Sequence, residues 1–124
     1  MNKRILVVDD EPDITRMVKL VLDQTGLYEV RTENMGRRAI ETAREFRPDL
    51  ILLDVMMPGM LGSEIGERLQ ADPDLCAIKF IFLTAVVTKD EATRSKGAIG
   101  GHTFIAKPIS ADELCKVVEH HLPH

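Results

Sequence analysis

Short apolar runs alternate along this chain with longer segments in which apolar residues recur every three to four positions. An apolar run bounded by polar or turn residues is typical of a buried strand, and the three-to-four spacing is typical of a helix. Five segments predict strands, at 3–8, 28–32, 50–54, 78–84 and 103–106, and five predict helices, at 12–24, 35–46, 59–72, 89–96 and 111–122. Strands that alternate with helices predict an α/β fold, in which helices cover both faces of a parallel sheet.

Several residues have preferences that mark where these helices begin and end. Pro12 is tolerated at the first position of a helix, and Gly26 suits the position just after one. Asn34 is expected to cap the second helix, because its side chain can accept a hydrogen bond from a free amide. Ser110 and Glu113 have the spacing of a capping box at the start of the last helix. The fourth helix is short and polar, so we expect it to be the most mobile, followed by a flexible link at 97–101.

Length, composition and charge restrict the class of protein. The 124 residues predict a single domain, and they are 44% hydrophobic and 29% charged, with a net charge of −4. Basic residues are scattered, which argues against direct DNA binding. The apolar runs are too short for a membrane span or a signal peptide, so we expect a cytoplasmic protein. Cys76 and Cys115 lack metal-site spacing and are expected to be reduced thiols.

Polar residues end four of the five predicted strands. Asp9 and Asp10 follow the first strand, Asp54 ends the third, Thr84 ends the fourth and Lys107 follows the fifth. The second strand is the exception in this interpretation. Because ligands bind at the carboxyl ends of parallel strands, near the point where the strand order reverses, we expect these side chains to converge in one crevice.

The charges in this crevice predict a metal site. Three carboxylates and one ammonium leave a formal charge of −2, so at least one carboxylate should have a raised pKa unless another cation binds. Ligands that are all oxygen favour Mg²⁺ or Mn²⁺, and the lack of histidine or cysteine at a strand end disfavours zinc. A carboxylate, a hard metal, a hydroxyl and a lysine are the parts needed for phosphoryl transfer. Asp54 is the best nucleophile, because it sits centrally, and its product would be an acyl phosphate that water hydrolyses.

Four short motifs occur in order along the chain: Val8-Asp9-Asp10-Glu11-Pro12, Leu53-Asp54-Val55-Met56-Met57-Pro58-Gly59-Met60, Leu83-Thr84-Ala85 and Lys107-Pro108. Together they make the chain resemble a response-regulator receiver domain over essentially its whole length. The resemblance implies a flavodoxin-like (βα)5 three-layer sandwich with strand order 2-1-3-4-5. It also implies a two-component phosphorelay protein that catalyses its own phosphorylation and slow dephosphorylation, and that is not otherwise an enzyme.

The resemblance further implies a role for each matching residue. Asp54 would accept a phosphoryl group from a histidine kinase or a phosphotransfer protein. Mg²⁺ would bind to Asp10, Asp54 and the Met56 backbone carbonyl, with Asp9 acting through water. Thr84 and Lys107 would assist the transfer.

Two residues would turn phosphorylation into a change of shape. In the family, Thr84 moves toward the phosphoryl group and Phe104 turns inward, which changes the face made by the fourth helix, fifth strand and fifth helix. That face would bind a downstream target protein or an output domain absent from this chain. The resemblance also implies a cis bond between Lys107 and Pro108.

This sequence departs from the family pattern at three places. Leu61 stands where a polar residue usually caps the third helix, and leucine cannot cap. The stretch 97–102 is unusually rich in glycine, which puts the shape of the output face in doubt. Met56 and Val86 are apolar at positions that flank the path of the attacking water, so we predict slow autodephosphorylation.

Other interpretations remain open at this point. Asp9 alone could cap the first helix, and Phe104 is as readily a core aromatic as a mobile switch. An aspartate-nucleophile phosphatase is a second functional class, which Met56 disfavours because such enzymes usually carry an acid there. A scaffold that works without phosphate is a third class, disfavoured by the intact acidic set. The chain could also be a receiver cut from a longer regulator.

Overall fold

The computed structural model describes residues 2–57, 59–84, 98–99 and 102–122. Its strands are β1 (Lys3–Val8), β2 (Tyr28–Glu33), β3 (Leu50–Asp54), β4 (Lys79–Thr84), β5 (Ala98–Ile99) and β6 (His102–Ala106). Its helices are α1 (Pro12–Gln24), α2 (Ala39–Phe46), α3 (Gly62–Ala71) and α4 (Ala111–His121), with a 3-10 turn at Gly36–Arg38. The fourth predicted helix, at 89–96, lies outside the described residues, so α4 corresponds to the fifth predicted helix.

Five of these strands form a parallel sheet in the order β2-β1-β3-β4-β6. This confirms the predicted order 2-1-3-4-5. The sheet carries one addition, because β5 pairs antiparallel with β6 at its edge, Ala98 opposite Thr103 and Ile99 opposite His102. The prediction of a flexible link at 97–101 was therefore wrong at Ala98 and Ile99. Two residues are too few to show the period of a strand in sequence.

Apolar residues of the central strands alternate between two cores, one on each face of the sheet. Ile5 and Val7 of β1 pack in the core that α1 and α4 cover, and Leu6 and Val8 pack in the core that α2 and α3 cover. Every residue of β3 is buried. Burial on both faces fixes the positions of β1 and β3, and therefore of the polar residues at their carboxyl ends.

The helix ends agree with the sequence at α1 and α4. Pro12 begins α1, and Gly26 follows its end with φ of +71°. The Ser110 hydroxyl at the start of α4 accepts a hydrogen bond from the Glu113 amide at 3.1 Å, as the capping box predicts. None of the helices in the described part of the chain is long and apolar enough to cross a membrane.

The starts of α2 and α3 differ from the predictions. Asn34 does not cap α2, which begins at Ala39 after the 3-10 turn. Helix α3 begins at Gly62, three residues later than predicted, and Leu61 precedes it in extended conformation without a side-chain cap among the described residues. The Gly62 amide instead donates to the Val55 carbonyl oxygen at 2.9 Å. This backbone contact satisfies one of the free amides at the start of the helix, but it does not replace the side-chain cap that Leu61 lacks.

Candidate functional site

Three aspartates meet at the carboxyl end of the sheet. Asp54 ends β3, and Asp9 and Asp10 follow the neighbouring strand β1. One carboxylate oxygen from each of the three lies within 4.8 Å of the others. The sheet therefore brings together acids that are 44 to 45 positions apart in sequence, as the strand-end pattern predicts.

Lys107 supplies a positive charge to these carboxylates. Its Nζ forms an ion pair with Asp9 Oδ2 at 2.8 Å and donates a hydrogen bond to Asp54 Oδ1 at 3.3 Å. Glu11 Oε1 lies 3.8 Å away. The Lys107 amide donates to the Thr84 carbonyl at 2.9 Å, which ties the lysine backbone to the end of β4. The bond between Lys107 and Pro108 is cis, as the resemblance implied.

Burial makes the charges of this cluster interact strongly. Asp9 is 0% exposed and Asp54 is 4% exposed. Burial of Asp54, reinforced by the negative charge of Asp9, raises its pKa to about 6, and Lys107 opposes this rise only in part. Burial would lower the pKa of Lys107, but the two carboxylates outweigh it and the pKa is raised. The carboxylates thus carry more negative charge than one lysine can balance.

The Asp9 side chain belongs to the site and does not cap α1. Asp9 Oδ1 accepts a hydrogen bond from the Glu11 amide at 3.0 Å, and Glu11, not Asp9, is the residue that precedes the helix. The Asp9 amide donates to the Glu33 carbonyl at 3.1 Å. Asp9 is therefore held from β2 and from its own loop, with its other carboxylate oxygen directed at Lys107.

The donor set of the cluster fits a hard divalent cation. Its candidate ligands are carboxylate oxygens of Asp9, Asp10 and Asp54, the type of atom that Mg²⁺ and Mn²⁺ prefer. Asp10 is half-buried and lines a cleft of about 260 Å³, whereas Asp9 and Asp54 are buried. A dication would bring the formal charge of the three carboxylates and Lys107 to zero.

The other predicted residues lie on elements that border the site. Thr84 ends β4 and is 2% exposed, next to the position at which Leu83 pairs with Asp54. Met56 lies two residues beyond Asp54 with a side chain that is 60% exposed. Phe104 lies in β6, and its side chain is buried. Val86 lies outside the described residues.

Asn34 is a polar residue of the site that the sequence interpretation missed. Its side-chain amide donates to the Asp9 carbonyl oxygen at 2.8 Å and to Thr15 Oγ1 at 3.0 Å. The expectation that the second strand brings no polar residue to this edge was wrong. Strand β2 ends at Glu33, one residue later than predicted, so Asn34 is the first residue beyond it. Placing that strand end correctly would have revealed Asn34 by the same rule that found Asp9.

Gly62 is a second residue that the sequence interpretation missed. Its Cα lies so close to the end of β3 that a Cβ would overlap the Asp54 carbonyl oxygen and lie 3.0 Å from Val55 Cα. Only glycine allows this approach without a backbone shift. The start of α3 therefore rests directly on the backbone of the central carboxylate.

Comparison with known proteins gives a consistent result. A family model described as the response regulator receiver domain matches residues 5–119. The polar-differentiation response regulator DivK of Brucella anthropi is 32% identical over 122 residues, which are 98% of this chain and 98% of that protein. Sporulation initiation phosphotransferase F of Bacillus subtilis is 36% identical over 123 residues, 99% of this chain and 96% of that protein.

Solved structures agree with the sequence relatives. The chemotaxis protein CheY4 of Vibrio cholerae superposes with a TM-score of 0.82 and 30% sequence identity, over 98% of this chain and 100% of that one. The shared fold, the acidic cluster and the family match together lead to one conclusion. This chain belongs to the family of response regulator receiver domains.

Proposed function

We propose that residues 1–124 form one receiver domain, in which Asp54 accepts a phosphoryl group from a phosphohistidine on a histidine kinase or phosphotransfer protein. In this step an Asp54 carboxylate oxygen bonds to phosphorus while the bond between phosphorus and the donor imidazole nitrogen breaks. The electron pair of that bond stays with the imidazole. The product is an aspartyl phosphate, which water later hydrolyses.

The observation that carries this proposal is the contact of Lys107 with both Asp9 and Asp54. Its Nζ lies 3.3 Å from Asp54 Oδ1, so it can stay beside the phosphoryl oxygens after transfer. Thr84, at the end of the adjacent strand, is the candidate donor of a hydrogen bond to the same group. Asp9 holds the lysine in place through its ion pair at 2.8 Å.

Asp10, Asp54 and the Met56 carbonyl are the proposed direct ligands of Mg²⁺, with Asp9 acting through water. Bound there, the ion would neutralise the charge of the carboxylates and of the incoming phosphoryl oxygens. The raised pKa of Asp54 supports this assignment, because the described cluster is short of positive charge. An ionised Asp54 is also the form that attacks phosphorus.

The proposed output is a change in protein binding. The proposed setting is a phosphorelay in the cytoplasm, and one relative matched along nearly its full length is named a phosphotransferase. Thr84 and Phe104 are the proposed switch residues, and β6 and α4 are the described parts of the face they would alter. Phe104 is buried in this structure, as an inward switch aromatic would be.

The central test is incubation with acetyl phosphate and Mg²⁺, followed by intact mass measurement. We expect one added phosphoryl group in the wild type, and none in Asp54→Asn or when Mg²⁺ is removed by chelation. Asp49→Asn is a matched control, because Asp49 stands just before the amino end of β3 and accepts a hydrogen bond from the Arg4 amide. Phosphorylation of Asp54→Asn would contradict the assignment of Asp54 as the phosphorylated residue. A folded Asp49→Asn that is no longer phosphorylated would contradict it as well.

A further inference from the structure

We propose that Asn34 is a positioning residue, which fixes the peptide between Asp9 and Asp10 and thereby sets the affinity of the site for Mg²⁺. This inference rests on the proposed metal site and adds to it the first residue after β2. Asn34 does not reach the ion in this proposal. It acts through the backbone that carries the two acids.

The hydrogen bonds of Asn34 have only one consistent assignment. The Asp9 carbonyl oxygen can only accept, so the atom of Asn34 that lies 2.8 Å from it is the nitrogen of the amide. The second hydrogen on that nitrogen is directed to Thr15 Oγ1 at 3.0 Å. Thr15 in turn donates its own hydroxyl hydrogen to the Pro12 carbonyl at 3.1 Å, so it accepts from Asn34. Both hydrogens of the amide are therefore used.

These bonds constrain Asp10 although Asn34 does not contact its side chain. The Asp9 carbonyl belongs to the same planar peptide unit as the Asp10 nitrogen and Cα. Holding that oxygen restrains the plane, and with it the position of the Asp10 Cα from which the side chain leaves the backbone. Asp10 is the half-buried acid of the cluster, and it lines the same 260 Å³ cleft as Asn34. Asp9 is already held at its amide, at Oδ1 and by Lys107.

The chemistry of the position favours an asparagine. The amide brings two donors without a charge, whereas an aspartate would bring a fourth carboxylate and no donors. Thr15 is 3% exposed, so its hydroxyl would lose a buried partner if Asn34 were shortened. The network also joins the end of β2 to the first turn of α1. Residues that orient metal ligands in this way commonly change metal affinity by about 10- to 100-fold when they are replaced.

The test obtains the Kd for Mg²⁺ from the rise in unfolding temperature during titration with MgCl₂, in the absence of a phosphodonor. We expect Asn34→Ala to raise the Kd for Mg²⁺ by about tenfold. Thr15→Val should shift it in the same direction by less, because Asn34 keeps its bond to Asp9. At saturating Mg²⁺, both variants should accept phosphate from acetyl phosphate at close to the wild-type rate. A changed Kd for Mg²⁺ together with an unchanged rate at saturating Mg²⁺ would show that Asn34 positions the ion site and does not take part in phosphoryl transfer.

Thr42→Val is the matched control. Thr42 is buried like Thr15, at 6% exposed, but its hydroxyl donates to the Glu33 carboxylate at 2.9 Å. We expect it to lower the unfolding temperature and leave the Kd for Mg²⁺ unchanged. An unchanged Kd in Asn34→Ala, or an equal change in Thr42→Val, would overturn the inference. If Asn34→Ala does not fold, Thr15→Val takes its place as the test. An unchanged Kd for Mg²⁺ in Thr15→Val would then overturn the inference.

The same data separate this inference from the proposed function. A wild type that binds Mg²⁺ but accepts no phosphate would contradict the proposed phosphoryl transfer. The Kd values of the variants would still test whether Asn34 sets the affinity for Mg²⁺. A wild type without any Mg²⁺-dependent rise in unfolding temperature would overturn the inference itself.

Discussion

Lys107 Nζ lies 3.3 Å from Asp54 Oδ1, yet this cation does not keep the carboxyl at its ordinary acidity. Burial and the charge of Asp9 outweigh the lysine, and the pKa of Asp54 is raised to about 6. Lys107 is closer to Asp9, at 2.8 Å. In the metal-free protein the ionised Asp54 is therefore unfavourable at neutral pH, and its effect on the free energy of unfolding can be measured.

The raised pKa predicts how the stability of the metal-free protein depends on pH. The folded state binds a proton at Asp54 more tightly than the unfolded chain does, so Asp54 contributes stability at low pH. That contribution is lost as pH rises through about 6. We expect Asp54→Asn to raise the free energy of unfolding by on the order of 3 kcal/mol at pH 8 and by about half as much at pH 5, because at pH 5 the unfolded chain has lost the Asp54 proton while the folded state still keeps it.

Thermal unfolding in the presence of a chelator, at pH 5 and pH 8, checks this. Asp49→Asn, just before the amino end of the same strand, should show no such difference between the two pH values. A lower unfolding temperature for Asp54→Asn at pH 8 would contradict this prediction, because it would mean that the ionised Asp54 stabilises the fold through its partners.

Replacement of Lys107 by methionine should have opposite effects on folding and on metal binding. The variant leaves the three carboxylates without their described cation, so we expect a loss of roughly 3 kcal/mol in metal-free stability at pH 8. The more negative site should bind Mg²⁺ more tightly, and phosphoryl transfer should be slower. Weaker Mg²⁺ binding in Lys107→Met would contradict this account.

Lys19→Met provides the control for Lys107→Met. Lys19 pairs with Asp23 at 2.9 Å, but both side chains are more than 40% exposed. Exposed pairs contribute little, so stability should change by less than about 1 kcal/mol, and Mg²⁺ binding should not change.

Two glycines of α3 offer a test of the contact with the Asp54 backbone. In Gly62→Ala the new methyl would overlap the Asp54 carbonyl oxygen, so the backbone must shift. We expect a loss of about 2 kcal/mol and slower phosphorylation of Asp54. In Gly66→Ala the methyl would lie 3.1 Å from the ring of Phe80, so it would crowd a side chain and not the backbone.

Gly66→Ala should therefore stay within about 1 kcal/mol of the wild type, because the gain in helix propensity offsets the crowding. Urea unfolding and the rate of phosphorylation by acetyl phosphate measure both effects. Equal phosphorylation rates in Gly62→Ala and the wild type would show that the contact is structural only.

The lifetime of the aspartyl phosphate should depend on position 56. Met56 offers no group that could orient an attacking water, so we predict slow hydrolysis in the wild type and several-fold faster hydrolysis in Met56→Asn and Val86→Glu. Loss of phosphate followed by mass over time gives the rates. Leu20→Asn is the control, because Leu20 is also exposed, at 57%, but lies on α1. Equal or slower decay in the Met56 and Val86 variants would refute the prediction.

The sequence alone predicted the sheet and the acidic cluster because both depend on local patterns. The apolar runs that became β1 and β3 are buried on both faces, so they could be recognised without knowledge of their neighbours. Asp9, Asp54 and Lys107 directly follow or end such runs. Once the strands are parallel, their carboxyl ends must share an edge, and the convergence of these residues follows from the fold class.

Tertiary structure decided the contacts that tune this cluster. Asn34 lies 25 positions from Asp9, and its type suits a helix cap as well as a link between loops. In the sequence Gly62 is only a residue that weakens a helix. The structure shows that the Asp54 carbonyl oxygen lies where a Cβ of residue 62 would be. Hydrogen bonds and close approaches between distant segments leave no periodic signal in the chain, so only the folded positions of β2, β3 and α3 reveal them.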